Sequence, residues 1–190
     1  MPLYVIEGID GCGKETQIRL LKDQFPDVVL FKYPTRVYPI LNDYLEKKVE
    51  IDSKALFLLF LSDIANEQKK VQAALDAGKR VVLDRYVFST IAYEVNEGIT
   101  YAHGKKIIEA IGYIKPDKVL LLDINADISQ ERKKKQKQLD RYEENKQYLE
   151  KVRNNFLKLA KDRFLTDSWH TIDASRSAEL VSFDVLRLLE

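Results

Sequence analysis

Seven residues near the start, Gly8 to Lys14, read Gly-Ile-Asp-Gly-Cys-Gly-Lys. This G-x-x-x-x-G-K spacing, set between a strand-like run and a helical one, is that of a phosphate-binding loop. Gly8, Asp10, Gly11, Cys12 and Gly13 are expected to line a nucleotide's phosphates, with backbone N–H groups turned inward. The helix that follows adds a partial positive charge, and Lys14 adds a full one. A hydroxyl residue commonly follows that lysine, where it meets Mg2+. Here Glu15 stands there and Thr16 comes next. Glu15 can hold Mg2+ directly or through water, or it can turn to solvent while Thr16 caps or packs. Both readings are open at this point.

A second pair, Asp84-Arg85, closes the apolar run Arg80 to Asp84. An Asp there can hold Mg2+ or its waters, and a neighbouring Arg can grip a phosphate with its planar fork. Asp123 ends another apolar run and competes for the metal role. Downstream, Arg132 to Lys137 reads Arg-Lys-Lys-Lys-Gln-Lys, with Arg141 just beyond. Aromatic residues interleaved with the cations would mark a nucleic-acid surface, and none are present. A basic lid that closes over a nucleotide fits better. The two histidines, His103 and His170, stand in no triad-like context, so Cys12 is not read as a catalytic nucleophile.

These residues need elements to position them. Leu3–Glu7, 28–31, Arg80–Asp84, Lys118–Asp123 and Trp169–Asp173 read as short apolar strands. Helices are expected over Lys14–Gln24, from a cap at Asp52-Ser53 to about Ala77, over 87–95, from Ile128 onward, over 145–163 and over Ala178–Leu189. The stretch 33–38, with Pro34 inside it and Pro39 just beyond, reads as a loop. The repeated βα pattern, with strands that do not alternate, predicts an α/β fold with a parallel sheet covered on both faces. In such sheets ligands bind beyond the C-terminal strand ends. That rule gathers Gly8–Lys14, Asp84-Arg85 and Asp123 on one edge.

Composition narrows the setting. The chain has 190 residues, 45% hydrophobic and 32% charged, enough for one domain with a real core. Its 31 Lys and Arg against 30 Asp and Glu give a net charge of +1, with no global pull toward nucleic acid or a membrane. One cysteine allows no internal disulfide and suits a reducing, cytoplasmic setting. The longest apolar run, Ala55 to Leu61, is too short to span a bilayer. No basic region precedes the first apolar run, so a secretory signal is not expected.

The order of motifs resembles the thymidylate kinases. Those motifs are GIDGCGK, then YPTR at Tyr33 to Arg36, LLF at Leu58 to Phe60 and DRYVFSTIAY at Asp84 to Tyr93. DRYE at Asp140 to Glu143 and IDASRS at Ile172 to Ser177 follow. The resemblance implies ATP-dependent, Mg2+-assisted phosphorylation of dTMP to dTDP. It implies the P-loop nucleoside monophosphate kinase fold as one domain over 1–190, with five parallel strands, a mobile basic lid at about 129–143 and usually a homodimer. It assigns the acceptor to Asp10 on the sugar 3′-hydroxyl, Arg36 and Arg85 on the monophosphate, and Phe60 stacked on the base. Tyr93 would exclude a 2′-hydroxyl, and Ser89 would sit within reach of the base edge. The resemblance gives metal binding to Asp84 and makes Asp123 a supporting residue, while Glu15, where this chain departs from the motif, stays a metal candidate from its own chemistry. Arg132 and Ala174 would border the adenine. Lys135, Lys137 or Arg141 would supply the lid's catalytic cation, since the loop carries no Arg. One acceptor position departs from the family: where an Arg commonly reaches the thymine carbonyl, this chain has Ile64, which has no donor.

Two other functions fit part of this pattern. A deoxynucleotide or deoxynucleoside kinase of broader specificity would share the donor site, though a nucleoside acceptor has no use for Arg36 and Arg85. A non-catalytic nucleotide-binding protein would keep the loop and tolerate Glu15. A guanine-specific switch would need an N-K-x-D signature, which is absent.

Overall fold

The computed structural model describes residues 2–95, 98–134 and 145–189. Five parallel strands form the sheet: β1 (Leu3–Glu7), β2 (Val29–Lys32), β3 (Val81–Asp84), β4 (Lys118–Asp123) and β5 (Trp169–Asp173). Their order is β2-β3-β1-β4-β5. All five β1 residues are buried, and Val81 through Asp84 are equally covered. Central strands sandwiched by helices have no solvent face, which is why their sequences do not alternate.

Eight helices accompany the sheet among the described residues: α1 (Lys14–Gln24), α2 (Pro39–Leu45), α3 (Ser53–Asp76), α4 (Val87–Glu94), α5 (Tyr101–Ile111), α6 (Ala126–Lys134), α7 (Lys146–Lys161) and α8 (Ala178–Leu189). Asp52 caps α3, its carboxylate accepting from the Lys54 N–H at 3.0 Å and the Ala55 N–H at 3.4 Å. Asn145 caps α7 through the Tyr148 N–H.

The simple βα reading needs three corrections. First, β2 is displaced by one residue, because Val29 donates to the Arg80 carbonyl and Lys32 pairs in register with Asp84. Second, α2 and α5 are additional elements. Pro39 opens α2 at a position where its missing N–H costs nothing. Thr100 caps α5 by accepting the His103 N–H. Third, α7 stops before Arg163, whose backbone turns left-handed at φ 50°.

The chain leaves β1 toward β2 on one side and reaches β4 on the other, after passing through β3. The strand order therefore reverses around β1, and the crevice at the C-terminal ends of β1, β3 and β4 is the natural ligand position. A single large core of Val, Leu, Ile and Phe side chains fixes these strand ends. A smaller cluster of Leu41, Tyr44 and Leu56 joins α2 to α3, with Phe60 at its border.

Candidate active site

A cleft of about 910 Å³ opens at these strand ends. One wall is the phosphate loop. Gly8 sits at φ 144°, and a Cβ there would lie 2.5 Å from the Leu122 carbonyl oxygen, so β4 passes too close for any side chain. Gly11, at φ 77°, is pressed likewise against Ser129 of α6. The Ser129 hydroxyl donates to the Asp10 carbonyl at 2.6 Å. Arg132 reaches from α6 to the carbonyls of Gly11 at 3.5 Å and Ser175 at 3.3 Å, so it ties the loop to the turn after β5. Ala174, in that turn, also lines the cleft.

Lys14 does not point outward. Its ammonium donates to the Gly8 carbonyl at 2.6 Å and the Ile9 carbonyl at 3.2 Å, and it lies 3.6 Å from the Cys12 sulfur. The Cys12 N–H is likewise turned onto the Ile9 carbonyl at 3.3 Å. An arriving phosphate therefore competes with the loop's own acceptors for these donors.

The opposite wall is built at the end of β3. Arg85 takes a left-handed backbone, φ 69°, which turns its side chain into the cleft. Its guanidinium pairs with the Asp10 carboxylate and donates to the Ser89 hydroxyl oxygen at 3.2 Å. The Tyr93 hydroxyl donates to the other Asp10 oxygen at 3.1 Å. Burial works to raise the Asp10 carboxyl, but the Arg85 guanidinium and the nearby Lys14 and Lys133 ammoniums outweigh it. With the Tyr93 hydrogen bond, they hold it at about 2. Asp10, Arg85 and Tyr93, distant in sequence, thus form one unit.

Sequence reasoning missed the residue beneath them. Glu7, at the end of β1, is fully buried. It accepts from the Tyr86 N–H at 2.8 Å, the Ser89 N–H at 3.2 Å and the Ser89 hydroxyl at 2.7 Å. It therefore holds the whole turn that presents Arg85. Ser89, expected within reach of the base, lines the cleft and is bound between Glu7 and Arg85. The signal was present in the sequence: a carboxylate closing an otherwise apolar strand needs partners.

The third wall is the segment after β2. Tyr33-Pro34 is a cis peptide, and Arg36 has φ 65°. The buried Asp63 of α3 clamps this segment through the Thr35 N–H, at 2.7 Å, and the Thr35 hydroxyl. Asn42 of α2 donates to the Arg36 carbonyl at 2.9 Å. Arg36, Phe60 and Ile64 all line the cleft, and Ile64 presents only an apolar side chain. Thr90 of α4, a buried residue, lines the same cleft.

The two carboxylates read as metal-holding face each other across a lysine. Glu15 extends into solvent and accepts from the Lys32 ammonium at 3.0 Å. The same ammonium lies 3.7 Å from the Asp84 carboxylate. Lys32 was not singled out in the sequence, because only strand register shows that it neighbours Asp84. Thr16 lines the cleft beside Glu15. Asp123 is engaged elsewhere, bound through both oxygens by Arg153 of α7 at 2.7 Å and 2.9 Å. Lys135, Lys137 and Arg141 lie outside the described residues.

The thymidylate kinase family model matches residues 6–185. A probable thymidylate kinase of Pyrobaculum aerophilum is 31% identical over 193 residues, covering 100% of this chain and 97% of its own length. The thymidylate kinase of Schizosaccharomyces pombe is 33% identical over 195 residues, covering 98% and 90%. Among solved structures, the Candida albicans thymidylate kinase superposes with a TM-score of 0.80 at 26% identity, over 99% of this chain and 90% of that one. The family match takes in the phosphate loop, the Asp84-Arg85 turn and nearly all of the sheet, and with it this chain belongs to the thymidylate kinase family.

Proposed function

We propose that ATP and dTMP meet end to end in this cleft, with Lys14, Arg85 and Arg36 as cations on their phosphates. The reaction is the family's: ATP-dependent phosphorylation of dTMP to dTDP. Phosphoryl transfer demands alignment and charge neutralisation more than covalent chemistry. Arg85 carries the reading. It is a guanidinium fixed by Asp10 and Ser89, in the cleft that also holds the phosphate loop. A fork so placed suits the acceptor's monophosphate, which a nucleoside acceptor lacks. Tyr93 and Asp10 then border the deoxyribose, and Phe60 the base.

Asp84 and Glu15 fit Mg2+. They offer hard oxygen donors, and an ammonium already stands between them. When bound, Mg2+ would neutralise charge on the transferring group. Arg132 and Ala174 border the adenine in this reading. The lid, about 129–143 of the single domain 1–190, begins within α6 and brings Lys135, Lys137 or Arg141 to the phosphates. A homodimer belongs to the same reading, with the exposed Leu58 of α3 as available apolar surface. No helix among the described residues is long and apolar enough to cross a membrane. A cytoplasmic setting suits a chain whose one cysteine is buried and free.

The Candida albicans relative is described as having broad substrate specificity. This chain should also accept dUMP, which presents the same ring carbonyls and lacks only the thymine methyl. That methyl still favours dTMP modestly, since burying one such group contributes about 0.8 kcal/mol. The test follows ADP release with dTMP, with thymidine and with no acceptor. Release should depend on dTMP and fall a hundredfold or more in Lys14→Ala. Equal release without acceptor, or with thymidine, would reject the reading.

A further inference from the structure

We propose that the Lys32 ammonium holds the place of a divalent cation between Glu15 and Asp84 until nucleotide arrives. The inference rests on the reading of Asp84 as a metal-holding residue. Lys32 closes β2 directly beside Asp84, which closes β3. The two carboxylates differ in surroundings: the Asp84 side chain is 5% exposed and that of Glu15 85%. A carboxylate as buried as Asp84 needs a counter-charge. Among the described residues, Lys32 is the cation within 4 Å of it.

The Lys32 ammonium is compact and singly charged, and it sits between hard anionic oxygens at 3.0 Å and 3.7 Å. Mg2+ seeks the same donor chemistry, with water and phosphate oxygens completing its shell. Both cations cannot stay there, because two positive charges a few ångströms apart repel strongly. Lys32 can leave, since its side chain is 58% exposed and hangs on a flexible four-carbon stem. Its exit leads into the cleft it already lines, where the nucleotide's phosphates offer new partners. Two consequences follow. Bare protein binds a divalent cation poorly, because the ammonium competes. Metal binding becomes conditional on nucleotide, whose phosphates supply ligands for the metal and draw Lys32 away.

The experiment is a Mn2+ titration followed by electron paramagnetic resonance, with Mn2+ standing in for Mg2+. Nucleotide-free Lys32→Met should bind Mn2+ about tenfold more tightly than wild type, or more. Lys32→Arg, which keeps the charge, should stay near wild type. Adding Asp84→Asn to Lys32→Met should abolish the gain. If Lys32→Met binds bare Mn2+ no better than wild type, the inference about Lys32 is wrong. Should Asp84→Asn meanwhile weaken Mn2+ binding in the presence of ATP, the metal role of Asp84 survives that failure. Unchanged binding by Asp84→Asn with ATP would instead overturn the metal reading and the inference together.

Discussion

The Tyr148 hydroxyl, in the first turn of α7, donates to the backbone carbonyl of Tyr93 at 2.6 Å. Tyr93 stands near the end of α4, where carbonyls have no partner within the helix. Asn155, two turns further along α7, donates to the neighbouring Ala92 carbonyl at 3.0 Å. α7 therefore grips the end of the helix that carries Tyr93 into the cleft. Through Tyr93 and Asp10 that grip extends to the phosphate loop.

Tyr148→Phe removes only the hydroxyl. One hydrogen bond contributes about 0.5–1.5 kcal/mol, which for a chain of this size lowers Tm by about 2–4 °C. The KM for dTMP should also rise a few-fold, with kcat little changed. A lowered Tm with an unaltered KM would show that the bond only packs the helices together.

Tyr93→Ala takes away the donor to Asp10 and, on the proposed reading, the steric wall against a 2′-hydroxyl. The ratio of kcat/KM for dTMP to that for its ribonucleotide counterpart should fall. An unchanged ratio would assign sugar discrimination to another residue.

Burial pushes the Glu7 carboxyl up from 4.5 to about 7, against the opposing pull of Arg85, Ser89, Lys14 and the Tyr86 N–H. The folded chain thus holds this proton more tightly than the unfolded chain. The stability it lends is complete below about pH 4.5 and is lost as pH rises through about 7. Glu7→Gln keeps a carbonyl for the two backbone N–H groups and has no proton to lose. Relative to the variant, wild type should lose on the order of 3 kcal/mol between pH 4.5 and 7. Urea unfolding at several pH values reads this directly, and parallel profiles would refute it.

Ile64→Arg would place a donor where the family commonly has one. Thymine carries a carbonyl at the ring position where cytosine carries an amino group, so a new donor should favour dTMP over dCMP. One hydrogen bond corresponds to at most about a tenfold change. The measurement is kcat/KM for dTMP, dUMP and dCMP on both proteins. A wild-type preference for a purine monophosphate would sink the pyrimidine pocket itself.

The motif that could be read without the fold was the phosphate loop, because all its parts are contiguous. Strand ends were legible to within a residue, since buried parallel strands are continuous apolar runs. α5 escaped because Gly104 lies within it. That glycine is a poor helix former, kept where a Cβ would come within 3.3 Å of the Phe57 ring. α2 escaped because its seven residues carry too little periodic signal. Glu7, Lys32 and Asp63 act through partners fixed by strand register and helix packing. Each looked like an ordinary charge beside an apolar stretch, and only the folded chain shows what it faces.

β2 is an edge strand of only four residues, partly open along its length. Exposed strand edges invite pairing with other chains. This one ends in the charged Lys32, and two residues later Pro34 offers no N–H to extend a ladder. The same two positions that shape the mouth of the cleft therefore blunt the sheet's edge, and a stray strand finds little there on which to aggregate.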